Sequence, residues 1–519
     1  MQPYFSTKSL LISILIISVL LGEGFVIQSL SNENRQIKEQ LSQLHTELDT
    51  IKDNNAVLSR NIEDLLNVSS ELKEENRNLE VENDDIKIEF YLLKAENYVL
   101  QNEYTKQRTN GTQLASWIVY LQGNTAYAKN ATTGLVEYSG DPADTITYTT
   151  SHGGVTYVME GVYYIKHSIT LSNNSGIVGA GQGSQLILSN NANQDMIVIL
   201  SNSVNCFVSN LYLNGNKWNN NAGSGVTIYG YCWRPLIQHI TIRDFPEYGL
   251  RTTSLVGDSV YEPIFYNIDV RGCGLDGVNI GFCSDAYGEN IYSEGNAGAG
   301  IQHYDVAGTW IHEHAVYNYG EFGIIVSEFS TDLRLLESHL DKNQKGGLLL
   351  KGKRNCIYGA FVFNSGQSEP GKYDGLVIEN ATDCIVTGSI ITDYQETKTQ
   401  KRAIIESGFS DYNLIEGNNL VGNLEPSLIN GPNDKVRGNL GYITEAGGEV
   451  LIQAGTDTVR VSHMSDYTPR PGDIQVIPAG PLSNCTQFWI SSVDEKGFNI
   501  KLDGLCKESV VFYWSVHRN

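Results

Sequence analysis

Positive charge is scarce in this chain. Its 519 residues hold 36 Lys and Arg against 59 Asp and Glu, a net charge of −23. Phosphate backbones are bound by clustered Lys and Arg, so nucleic acid is excluded as a partner. Adhesion to an anionic lipid surface is disfavoured for the same reason. Pro (12) and Met (4) are also few. None of the eight Cys stands in a CxxC pair, so no structural zinc site is expected. What is abundant is Gly (51), Tyr (29) and Asn, the composition of a β-rich body with many turns. The length exceeds what one compact core holds, so several domains are expected.

Only one long hydrophobic run exists. Leu10–Leu21 is unbroken apolar residues and Ser, and Phe25–Ile27 extends it. Ser9 to Ile27 is just long enough to span a bilayer, with Lys8 on the inner side. The alternative is a cleaved signal peptide. Either way the remainder is exported, and localisation at the cell membrane with most of the chain outside is expected. Sequons at Asn67, Asn110, Asn130, Asn173, Asn380 and Asn484 are compatible with export and glycosylation.

From Leu30 to Leu100 every seventh residue is Leu or Ile. The second heptad position holds Asn34, Leu41, Leu48, Asn55, Ile62, Ser69, Asn76, Asn83, Phe90 and Asn97, and no Pro or Gly interrupts it. This is a parallel coiled coil, roughly 110 Å long at 1.5 Å per residue. Asn in the seam leans toward a homodimer, and Ile in the other seam position keeps a homotrimer open.

Past Asn110-Gly111 the pattern changes. Short strands begin at Gly225, Gly249, Gly277, Gly300, Gly323, Gly347, Gly375 and Ala403, at spacings of 24, 28, 23, 23, 24, 28 and 28 residues. A second strand type lies between them, as at Ile240–Arg243, Ile268–Arg271 and Ile390–Asp393. Spacing near two dozen with Asn and Gly turns marks a β-solenoid. From Glu449 onward, strands of about seven residues with turn signals point to a small β-sandwich. The predicted architecture is mainly β: a right-handed parallel β-helix, preceded by an α-helical coiled coil and followed by a C-terminal β-sandwich. The domains are 1–28 (cytoplasmic tip and transmembrane anchor), 29–108 (stalk), 109–441 (β-helix) and 442–519 (sandwich).

The start of the body, Ala126–Gly140, Gly153–Ile165 and Ile177–Leu188, resembles the entry of the pectate-lyase-like superfamily of right-handed parallel β-helices, which includes phage tailspikes. The likeness covers about residues 117–441. It implies a polysaccharide as partner, and cleavage by calcium-assisted elimination or by paired carboxylates. The polygalacturonase motifs and a compact calcium-binding Asp cluster with a lyase Arg motif are missing. No cofactor is therefore expected, with calcium required only in a lyase.

Stacking brings candidates together. Asp305 and Glu328 both follow their Gly by five residues and form the candidate catalytic pair, against a plain reading as turn residues on a solvated edge. Arg251, Asn279 and Gln302 share the position two after Gly, and Tyr229 and Tyr304 the position four after. These are the candidate carbohydrate-binding residues. In His312-Glu313-His314, alternation sends both His to one face, but no third ligand is visible and no metal is assigned. Disulfide candidates are Cys485 with Cys506, Cys356 with Cys384 one rung on, and Cys273 with Cys283 flanking one strand. Two functions compete. One is a cell-surface stalked protein displaying a carbohydrate-binding or adhesive surface. The other is a membrane-anchored polysaccharide lyase or glycoside hydrolase. The missing family motifs favour the first. A tailspike-like viral fibre is a third and weaker reading.

Overall fold

The computed structural model describes residues 115–254 and 257–518. The expected membrane anchor, the coiled-coil stalk, Asn67 and Asn110 lie outside them. Among the described residues no helix is long and apolar enough to cross a membrane.

Parallel pairing between strands one rung apart builds a right-handed-type β-solenoid of about 11 turns. One interior column runs through Ile177, Val208, Ile237, Phe265, Gly288, Trp310, Leu335, Ile357, Val386, Ile415 and Val436. A second runs through Ile169, Ile197, Val226, Leu250, Val278, Ile301, Ile324, Leu348, Leu376 and Ile404. Both are continuous apolar stacks, so each rung buries its apolar face only because its neighbours cover it.

The glycine repeat has a steric cause. A Cβ on Gly225 would fall 2.4 Å from the Gly249 carbonyl oxygen, one on Gly249 2.7 Å from that of Gly277, and one on Gly347 2.4 Å from that of Gly375. At these glycines successive rungs approach too closely for a side chain, whereas Met196 before the run and Ala403 at its end carry one. The asparagines and other polar residues mark a different column, the corners. Asn210, His239, Asn267, Asn290, His312 and Glu337 occupy equivalent corner positions, with φ of 54, 51, 53, 56, 55 and 54°. A left-handed residue bends the strand, and Asn accepts that conformation at least cost. Inside another corner Asn296, Asn318 and Asn343 stack, with the backbone N–H groups of the first two donating to the next amide oxygen at 3.1 Å. All three are fully buried, and these bonds satisfy the backbone where the ladder is interrupted.

The left-handed His312 changes the reading of His312-Glu313-His314. Glu313 faces inward and is fully buried, 3.0 Å from His303 Nε2. His312 turns to Glu337 (2.7 Å), while His314 stands on the outer face beside His339.

Antiparallel strands Trp117–Gln122, Thr125–Asn130 and Val136–Gly140, with a helix Pro142–Ser151, cover the first rungs. The helix begins on Asp141, whose carboxylate accepts from Ala143 N, with Pro at its first position. At the other end two three-stranded antiparallel sheets share a core of Ile452, Val461, Phe498, Ile500, Phe512 and Val516, which is the expected sandwich.

All eight cysteines are free thiols, contrary to the expected bridges. Cys356 pairs across the ladder with Ile385, so Cys384 falls one residue out of register: it is buried and Cys356 is half-buried. Cys273 and Cys283 are buried at separate positions, and burial pushes both thiols up to about 12. Cys485 lies beside Cys506 but donates its thiol to Gly504 O at 3.2 Å.

Candidate functional site

The outward column of the glycine-repeat sheet reads Thr170, Val198, Thr227, Arg251, Asn279 and Gln302, then Ile325 and Leu349. Its polar part lies on the earlier rungs. Arg251 Nη2 meets Asp195 Oδ2 at 3.0 Å, its Nε donates to Thr227 Oγ1 at 3.1 Å, and its guanidinium lies over the Tyr248 ring at 5.4 Å. Asn279 donates to Asp276 (2.7 Å) and to Gln302 Oε1 (3.2 Å). The Asp276 carboxyl is raised above its usual range by burial, against the bonds it accepts from Asn279 and Ala299 N. Burial, then Asp276, also raises the Tyr248 hydroxyl.

Beside Arg251 lies a groove of about 450 Å³, lined by Ser168, Thr170, Gln194, Asp195, Tyr229 and Glu247 among others. Asp195 Oδ1 accepts from Ser224 N (2.9 Å) and Glu247 Oε2 from Gly223 N (3.3 Å), so backbone holds both carboxylates in place. On the adjacent corner Trp233 stacks on Tyr261 (4.4 Å, 20°) and stays 42% exposed, with Tyr231 edge-on to Tyr261. The groove itself offers carboxylates, hydroxyls and the Tyr229 ring beside the Arg251 guanidinium.

Four expected residues therefore share this track: Tyr229, Arg251, Asn279 and Gln302. Tyr304 occupies the same column as Tyr229 but is separated from it by Thr253 and Gly281, about 14 Å at the spacing of parallel strands. It packs instead between Phe282 and Phe329. Asp305 and Glu328 are both exposed at the corner beyond it, and Asp305 is left-handed at φ 57°. Register holds through His303–Val326, yet among the described residues neither carboxylate joins a hydrogen bond or ion pair.

Asp195, Glu247, Asp276 and the Trp233–Tyr261 stack were not picked out from the sequence. A signal exists for two of them: Asp195 and Asp276 each stand two residues before the equivalent interior strand positions Ile197 and Val278. The sequon side chains are at the surface. Asn173, Asn380 and Asn484 are exposed and Asn130 is half-buried, while Asn484 Nδ2 already donates to Leu505 O at 3.1 Å. Asp141, Asp144 and His167 place ligand atoms within 4.8 Å of one another. Asp141 there is engaged as the helix cap and with Lys166 at 3.0 Å.

No family model matches the chain, and no curated protein matches it. Solved structures do resemble it. An A-module of an Azotobacter vinelandii mannuronan C-5 epimerase is 16% identical, with TM-score 0.47, over 58% of this chain and 95% of that one. The tailspike of Pseudomonas phage phi297 is 8% identical, with TM-score 0.41, over 72% and 92%. The enzymatically active domain of bacteriophage CBA120 tailspike protein 2 is 13% identical, with TM-score 0.44, over 74% and 68%.

Proposed function

We propose that the protein binds an extended, neutral polysaccharide along the glycine-repeat face, with the groove at Asp195, Tyr229, Glu247 and Arg251 as its central subsite. One observation carries this reading: a groove lined by Asp195, Glu247, hydroxyls and the Tyr229 ring lies beside the Arg251–Asp195 ion pair on a regularly spaced ladder. Sugar hydroxyls are recognised by such donor and acceptor sets, and sugar C–H faces suit aromatic rings. The net charge of −23 disfavours a polyanionic chain. In this reading the N-terminal apolar run anchors the protein in the cell membrane, and the heptad segment forms a homodimeric or homotrimeric stalk that holds the solenoid outward.

A second reading, polysaccharide cleavage, is favoured by Asp195 and Glu247 lining one groove, since paired carboxylates serve as acid and base in glycoside hydrolysis. The exposed pair Asp305 and Glu328 is the alternative catalytic couple. A glycan array probed with the full chain should return neutral glycans. Arg251→Ala and Tyr229→Ala should each weaken the hits by about tenfold, the scale of one lost charged or aromatic contact. Unchanged binding in both variants removes the groove from consideration. Incubating a hit with the protein, and with Asp195→Asn and Asp305→Asn, then assaying new chain ends, separates binding from cleavage.

A further inference from the structure

Two residues beyond the corner that holds His312, the outer face of the sheet carries a second in-register column: Asp269, Tyr292, His314, His339 and Phe361. His314 and His339 sit on adjacent rungs with ring centres 5.4 Å apart. Tyr292 flanks the pair on one side at 5.9 Å and Phe361 and Phe363 on the other at 6.3 and 5.6 Å, so the rings are held by packing. Within the solenoid His152, His167, His239, His303 and His312 each have a polar partner. Among the described residues of the solenoid, only the His314 and His339 rings form no hydrogen bond or ion pair. Both are half-exposed, so solvent reaches them.

We propose that His314 and His339 together bind one divalent transition-metal ion, with Zn²⁺ as the representative. Imidazole is a favoured ligand for such ions, whereas Ca²⁺ requires oxygen. Two imidazoles on one tetrahedral ion, each with Zn–N near 2.0–2.1 Å, have ring centres roughly 5 Å apart. The observed ring-centre separation of 5.4 Å is close to that value. Asp341 stands two residues beyond His339 on the same strand and accepts from Asn364 Nδ2 at 2.8 Å, so water completes the shell of the metal. The Arg271 guanidinium over Tyr292 is offset by Asp269 and Glu294, so it does not oppose a cation. A pair along the strand, His312 with His314, was the visible one in the sequence; the pair across rungs emerges only once register is fixed.

Isothermal titration of the chelator-treated full chain should give a zinc site and no calcium heat. His314→Ala and His339→Ala should each weaken zinc binding by about tenfold or more, on the scale of altered metal shells. His167→Ala, which dismantles the Asp141–Asp144–His167 group, should leave that site intact. Zinc affinity unchanged in both single variants, or abolished by His167→Ala, overturns the proposal. Anomalous scattering at the zinc edge from wild-type crystals tests it without any variant: a peak between the two rings supports it, and peaks only elsewhere refute it.

Discussion

Gly288 sits in the interior column where every neighbouring rung places a side chain inward, and the reason is Trp310. A Cβ on Gly288 would fall 1.9 Å from Trp310 Cε3. The indole passes through the vacated space and stacks on Phe265, two rungs away, at 5.6 Å and 16°. Trp310→Ala should therefore cost about 3–5 kcal/mol. Gly288→Ala should lower the thermal midpoint by displacing the same ring; a melt indistinguishable from wild type would contradict this packing. At the last rungs another residue sets a pH dependence. Asp434 is pushed up to about 7, by burial first and then by the Glu406 carboxylate. Glu406 accepts from Asn430 N and Gly431 N, and Asp434 Oδ2 has no donor around it, so a proton held by Asp434 fills that gap. The folded value lies above the unfolded one near 3.8, so its contribution is complete below pH 4 and is lost as pH rises through 7. Asp434→Asn should flatten that slope in denaturation measured from pH 4 to pH 8.

Elements were legible in the sequence to the degree that each carried its own period. The strands after Gly225 to Ala403 repeat closely enough that their register could be read, and Arg251, Asn279 and Gln302 do fall in one outward column. Where a corner adds or removes a single residue, the reading failed. Cys384 lies opposite Asn355 rather than Cys356, because that rung is 29 residues and the assumed spacing was 28. Alternation does place His312 and His314 outward and Glu313 inward, but it missed the left-handed corner that turns the His312 ring to Glu337. The helix Pro142–Ser151 was not foreseen, although Asp141-Pro142 is a start signal and Gly153-Gly154 a stop; its Thr-rich interior resembles a strand. The groove was half legible, since Asp195 reaches Arg251 from 56 residues away. The buried asparagine column is an element in its own right. Asn318→Leu removes the acceptor for Asn296 N and the donor to Ser293 O, leaving buried backbone groups unpaired. It should cost about 1–3 kcal/mol per orphaned group, and hydrogen exchange should speed up locally around residues 293–296.

Across the described molecule, polarity changes along the rod as well as around it. The glycine-repeat face is polar over its early rungs apart from Val198 and aliphatic at Ile325 and Leu349, which confines the proposed glycan subsite to one stretch. The neighbouring face is ionic at Arg243, Asp269, Arg271 and Glu294 and becomes aromatic from Tyr292 toward Tyr394. The glycine contacts between rungs have a further result. Because no side chain fits there, the advance from one turn to the next is set by backbone thickness alone, and loops of different length leave it unchanged. The rod is in effect a ruler: adding or excising a whole coil between two such glycines would move everything beyond it by one fixed increment, while the columns on either side realign.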